Sequence, residues 1–132
     1  MRGMWRLILL VALAGAVGTL ARYGLSRWVD AGAGTQFAWG TLAVNMIGCF
    51  LFGLVYAWAE RHVHLKSELR IVLLTGFMGA FTTFSTYAFE TGQGLREGRW
   101  GFVLANIAAQ NVLGVALVLA GLALGGWLAG RA

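Results

Sequence analysis

The densest group of chemistry-bearing residues is Thr75-Gly76-Phe77-Met78-Gly79-Ala80-Phe81-Thr82-Thr83-Phe84-Ser85-Thr86-Tyr87. Thr82, Thr83, Ser85 and Thr86 put four hydroxyls within five positions, just after Gly76 and Gly79. Glycine, and hydroxyls that bond to nearby backbone, both weaken a regular helix. A helix broken at membrane depth exposes carbonyls from one half, which attract cations, and amide hydrogens from the other, which attract anions. Such backbone is tolerated there only when it is buried in protein or lines a watery cavity. The same small residues would equally make a face for close helix packing. Phe77, Phe81 and Phe84 stand at i, i+4 and i+7, with Tyr87 three beyond Phe84. They form either a packed or lipid-facing stripe, or a set of rings whose electropositive edges line a narrow path and stabilise a dehydrated anion less tightly than arginine would.

Carboxamides are the second group. Asn45 lies in an apolar run with Thr41 one turn before it, and Asn106, Gln110 and Asn111 lie in another. A polar side chain in such a run is costly without a partner. Interhelical bonding explains one of them; three in a single run exceed what bonding needs. Their NH₂ groups are donors that suit an anion, while their oxygens suit a cation. Arg22 and Glu90 each close an apolar run, either as an ion pair, as vestibule charges, or as side chains reaching the headgroups. His62 and His64 fall in a polar stretch and read as solvated.

These groups are positioned by four apolar blocks of a 132-residue chain that is 59% hydrophobic and 11% charged. Soluble domains carry roughly 25% charged residues, so a soluble globular or disordered chain is excluded. The blocks run over about residues 4–28, 37–59, 69–90 and 100–128. Each is long enough for the roughly 20 apolar residues a transmembrane helix needs. The six tryptophans fall near block ends, where an interfacial belt would hold them. The expectation is an all-α integral membrane protein, one four-helix domain over residues 1–132, with the third helix broken at mid-membrane. With no proline present, that break must come from glycine or hydroxyls.

One competing reading takes Arg2, Arg6 and the following apolar, small-residue run as a secretory signal peptide. The net charge of +5 does not indicate nucleic acid, because the cations are scattered between apolar runs. Four spans put Arg2, Arg6, Arg61, Lys66, Arg70 and Arg131 on one face and Arg22, Arg27, Arg96 and Arg99 on the other. That bias is too small to fix orientation by the positive-inside rule, a pattern compatible with insertion both ways and an antiparallel dimer.

The run Gly76-Phe77-x-Gly79-x-Phe81-Thr82-Thr83-Phe84-Ser85-Thr86, with Glu90 downstream, resembles the signature of the Fluc (CrcB) fluoride channels. Gly18-x-x-x-Arg22-Tyr23 and Trp39-Gly40-Thr41-x-x-x-Asn45-x-x-Gly48 resemble it too. The resemblance implies a dual-topology antiparallel homodimer in the cell's inner (cytoplasmic) membrane. It would have two pores and release fluoride passively from the cytoplasm. It also implies a central structural sodium ion held by the backbone carbonyls of Gly79 and Thr82. The pore phenylalanines fall on Phe84 and on Tyr87, where a hydroxyl is added. Asn45 and Thr41 match pore-lining donors, Arg22 an arginine near the entrance, and the fourth-helix serine falls at Asn111, with Gln110 as the rival register. Ser85 and Thr86 add hydroxyls to the candidate lining. Hydroxyl and amide donors suit fluoride, which is small and must exchange its water for close partners.

Two rivals belong to other classes. A small multidrug-type four-helix transporter would need a titratable carboxylate deep in a span, and none sits near a span centre. A non-transporting assembly subunit would draw support from Gly121-x-x-x-Gly125. No nucleophile–base pair, phosphate loop or zinc spacing points to an enzyme.

Overall fold

A computed structural model of the chain describes residues 2–34, 36–61 and 67–130. His62, His64, Lys66 and Arg131 lie outside the described residues, and with them the solvated-histidine reading. Among the described residues, four helices are long and apolar enough to cross a membrane. The first is α1 (Arg2–Ala33) and the second α2 (Trp39–Arg61). The third is assembled from α3 (Ser67–Ile71), a wide-turned π-helical stretch (Val72–Met78), α4 (Gly79–Phe81) and α5 (Phe84–Arg96). The fourth comprises α6 (Trp100–Ala108), a second π-helical stretch (Ala109–Leu113) and α7 (Gly114–Ala129).

The helices outrun the apolar blocks. A charge ends a hydrophobic run without ending hydrogen bonding, so α1 continues past Arg22 and Arg27 to Ala33. Its stop is Gly34, at φ +77°, and the turn after α5 uses Gly98 at φ +69°, a left-handed conformation that glycine adopts without a Cβ penalty.

Between helices, apolar burial gains little when the alternative is lipid, so close backbone approach carries the packing. Along the α2–α7 seam a Cβ on Gly53 would run into the Val118 carbonyl, one on Gly121 into that of Phe50, and one on Gly125 into that of Leu54. The Gly121-x-x-x-Gly125 pattern therefore joins the chain's own second and fourth spans. α1 lies against the first half of the third span, with Gly18 on the Phe77 carbonyl and Gly76 against Val11 and Ala14. An ion pair between Arg6 and Glu68 (2.5 Å) ties the ends of these two spans. α5 packs on α6, with Gly94 against the Phe102 ring and Val103.

The third span is interrupted halfway. Thr82 (φ −81°, ψ 157°) and Thr83 (φ −146°, ψ 108°) are both extended, between α4 and α5. The buried apolar side chains Val44, Leu74, Met78, Phe81 and Val103 come from the helices around this break. Phe84, Leu104, Val112 and Val115 are exposed on the single chain, a surface for lipid or another chain.

Candidate functional site

The break is held from the second span. Asn45 Oδ1 accepts from the Thr83 N–H (2.8 Å), and Asn45 Nδ2 donates to the Thr83 carbonyl (3.1 Å). One buried carboxamide thus meets both halves of an extended residue that has left its helix. Thr83 also starts the next helix: its Oγ1 accepts from Thr86 N–H (3.2 Å) as the N-cap of α5. The Ser85 and Thr86 hydroxyls lie 3.3 and 2.9 Å from the same oxygen. Three of the four hydroxyls therefore gather at the cap, and Ser85 and Thr86 do not line the cavity beside it, whereas Thr82 Oγ1 donates to the Met78 carbonyl (3.1 Å).

The carbonyls of residues 79–82 lose their regular partners in the process, those of Gly79 and Thr82 among them. An unbroken helix would aim Thr83 N–H at Gly79 O and Thr86 N–H at Thr82 O. Here the first donates to Asn45 and the second to Thr83 Oγ1. Carbonyls so freed are hard oxygen ligands of the kind that coordinate sodium at broken helices, and Gly79 is exposed on the single chain. The donor set at Gly79 and Thr82 fits such an ion.

Next to the break lies a cavity of about 280 Å³, lined in part by Asn45, Cys49, Thr83, Phe84, Tyr87, Gln110 and Asn111. The wide turn at Ala109–Leu113 carries both Gln110 and Asn111, and both line this cavity. Gln110 Oε1 accepts from Asn45 Nδ2 (3.0 Å), whereas Gln110 Nε2 is buried with no hydrogen-bond partner. Asn111 Nδ2 donates to Ile107 O (2.8 Å) and to the Tyr87 hydroxyl oxygen (3.2 Å), which leaves the Tyr87 proton free. The extended pair Thr82–Thr83 also splits the aromatic stripe. Phe77 and Phe81 stack with centroids 5.7 Å apart and planes at 11°. Phe84 and Tyr87 meet edge to face, at 5.4 Å and 69°, beside the cavity.

A second cavity, of about 390 Å³, opens further along α5 and includes Asp30, Glu90, Gln93, Glu97 and Arg99 in its lining. Thr41 Oγ1 donates to Glu90 Oε1 (2.6 Å), and Glu90 Oε2 is left unpartnered. Thr41 therefore faces Glu90, one turn from Asn45, and is not part of the first cavity. Asp30 Oδ1 accepts from Gly40 N–H (2.8 Å) at the start of α2, a cap that sequence spacing alone did not reveal. Arg22 is half-buried, lines neither of these cavities and forms no ion pair with Glu90. Asn106 is wholly buried and donates to Thr91 Oγ1 (3.0 Å), whose hydroxyl donates to the Tyr87 carbonyl (2.8 Å). It acts as a tie between the third and fourth spans.

The family model described as CrcB-like protein, Camphor Resistance (CrcB), matches residues 9–122. The chain belongs to the CrcB-like family. Curated relatives agree along nearly the whole length. A protein of Solidesulfovibrio magneticus is 56% identical over 115 residues, covering 87% of this chain and 92% of the relative. One of Nitrosococcus oceani is 50% identical over 118 residues (89% and 94%), and one of Maridesulfovibrio salexigens 48% over 117 (89% and 93%). Each of these three relatives bears the name Fluoride-specific ion channel FluC. In this CrcB-like chain the matched region contains the break, its Asn45 clamp and both cavities.

Proposed function

We propose that the chain is a fluoride channel that releases the ion passively from the cytoplasm across the cytoplasmic membrane. It works as an antiparallel, dual-topology homodimer with two pores and a structural sodium ion at its centre. The names of the relatives support the substrate. The observation that carries the reading is the cavity beside the break, lined by Phe84, Tyr87, Gln110 and Asn111, where the Tyr87 hydroxyl accepts from Asn111 and keeps its own proton to donate. Neutral hydroxyl and amide donors and electropositive ring edges together suit an anion.

Fluoride loses hydration on entering the cavity and gains the Tyr87 O–H and the electropositive rim of Phe84 in its place. None of these is a full positive charge, so the ion is stabilised without being trapped. Thr41 with Glu90 lies further along the path at the second cavity, Arg22 is assigned to the mouth by the family resemblance alone, and Asn111 orients the tyrosine. Sodium would be held by the Gly79 and Thr82 carbonyls, two from each chain. When bound, it supplies a fixed charge that links the two protomers. Exposure of Gly79, Phe84 and the surrounding apolar face supports a second chain on that side.

The test is fluoride efflux from sealed, K⁺-loaded liposomes after valinomycin, read with a fluoride electrode. Rapid release from vesicles with protein, and none from vesicles without, is the expected result. Absence of release refutes the channel. The assembly-subunit reading is weakened by the use of Gly121 and Gly125 within the chain.

A further inference from the structure

We propose that the groove between the α1–α2 loop and the start of α6 binds the phosphodiester headgroup of an anionic phospholipid, with Arg99 as its cation. Such a site needs only a membrane-spanning chain and is independent of the channel reading.

The groove encloses about 700 Å³ and is lined by Gln36, Phe37, Arg99, Gly101, Phe102 and Ala105. Tryptophans mark its level in the membrane. Trp28 near the end of α1, Trp39 at the start of α2 and Trp100 at the start of α6 are all exposed at this end, as side chains of the headgroup layer are. Arg99 precedes Trp100, and its backbone is fixed: its N–H donates to the Gly94 carbonyl (2.9 Å) and its carbonyl accepts from Val103 N–H (3.1 Å). Its guanidinium carbon lies 4.4 Å from the centre of the Phe102 ring. Phe37 braces that ring edge-on (5.4 Å, 66°), and Trp39 packs on Phe37 (4.8 Å). An arginine stacked on such a ladder has given up much of its rotamer freedom before a ligand arrives.

Its donors are nevertheless nearly unused. A guanidinium carries five N–H groups. Here Nη1 reaches Glu97 Oε2 at 3.4 Å, and no other hydrogen bond or ion pair engages the side chain among the described residues. A guanidinium held flat on a ring offers the parallel donors that match two oxygens of one phosphate. The far end of the groove is apolar. Ala105 stands five residues beyond Trp100, about 7.5 Å deeper by helical rise, and with the Phe37 and Phe102 rings it gives an acyl chain a dry wall. Polar groups at headgroup level with apolar ones below fit a lipid, whereas a free phosphate would leave the apolar half empty. Gly101 adds no side chain between the two ends, and a Cβ there would meet nothing within 4 Å.

The test is native mass spectrometry of the full chain released from nanodiscs of equal phosphatidylglycerol and phosphatidylcholine. Retained phosphatidylglycerol is expected to exceed phosphatidylcholine. Arg99→Gln should lower that preference about fivefold, the worth of one cation at an anionic surface. Gly101→Leu, which fills the groove and keeps the charge, should lower it by a similar factor. Glu97→Gln, which frees Arg99 of its acidic neighbour, should raise it. Arg27→Gln removes the same charge from the same end but outside the groove, and should change nothing. Equal retention of the two lipids, or an unchanged preference in Arg99→Gln, overturns the proposal. An equal loss in Arg27→Gln does the same, because the preference would then follow overall charge. Displacement of the lipid by millimolar inorganic phosphate would make the groove a free-anion site. A changed oligomeric state in Gly101→Leu with lipid retained would seat a second copy there. Either result refutes the lipid. If Arg99→Gln does not fold, Gly101→Leu decides alone: an unchanged preference in that variant refutes the assignment.

Discussion

Gly48→Ala is the sharpest perturbation of the break from outside it. Gly48 lies one turn after Asn45 on α2, where a Cβ would run into the Thr82 methyl and come within 3.3 Å of Phe81 Cδ1. Carbon atoms pack at about 3.5–4.0 Å, so either α2 moves away or Thr82 turns. Phe81 is buried and stacked on Phe77, which leaves it little room to yield. Overpacking of this kind costs about 1–3 kcal/mol, or roughly 5- to 150-fold in an equilibrium constant. The strain falls on Thr82, whose carbonyl we assign to sodium, and it moves Asn45 relative to Thr83. We expect Gly48→Ala to melt at a lower temperature and to release fluoride more slowly in the liposome assay. Gly32→Ala, where a Cβ meets nothing within 4 Å, should leave both readings unchanged. Wild-type melting and efflux in Gly48→Ala would refute the claim that the break is a close-fitted joint between the second and third spans.

Phe84 is 77% exposed on the single chain, so Phe84→Ile should leave folding intact while efflux falls by about tenfold or more, given the worth of an oriented ring; wild-type flux would reduce the ring to packing. Thr83→Ala removes the N-cap of α5, worth about 1 kcal/mol; its lowered melting temperature should be largely restored by Thr83→Ser. Cys49 lines the break-side cavity, so a small membrane-permeant thiol reagent should slow efflux of the unsubstituted chain and leave Cys49→Ser unaffected. Replacing sodium by N-methylglucamine through purification should shift the protein from dimer towards monomer in size-exclusion profiles, and an unchanged profile would remove the ion from the assembly.

The four apolar helices were legible because an apolar run of that length has few other uses, and the break because glycines and hydroxyls cluster at Gly76–Thr86 without proline. The support of the break was not legible. Asn45 is 38 residues from Thr83, and its spacing is equally that of an ion ligand or an interhelical tie. Gly121-x-x-x-Gly125 reads the same whether it joins two chains or, as here, two spans of one. No residue in Ala109–Leu113 marks a wide turn, so the lining of one cavity by both Gln110 and Asn111 could not be read from a 3.6-residue period. Ser85 and Thr86 looked like lining because hydroxyls near a break offer donors. Only the position of Thr83 Oγ1 draws both hydroxyls to the capped start of α5.

One interruption yields groups of opposite preference at one place. On its α4 side the carbonyls of Gly79 and Thr82 lose their helical donors; on its α5 side the first-turn amides begin a helix whose positive end lies at the break. A continuous third span would pair all of these and leave neither free carbonyls nor a polarised helix end beside the cavity. The extended conformation of Thr82 and Thr83 must therefore be held, and its upkeep falls on two bonds from Asn45 and one cap on Thr83. Those bonds come from α2 and from α5 itself, not from the ion or the second protomer. It follows that the break should exist in the single folded chain, before assembly and before any ion binds. On the proposed channel reading, an arrangement formed in advance would spare fluoride the work of ordering its donors as it enters, and this is the physical ground for expecting passage without a titrating or charged ligand in the narrow part of the path.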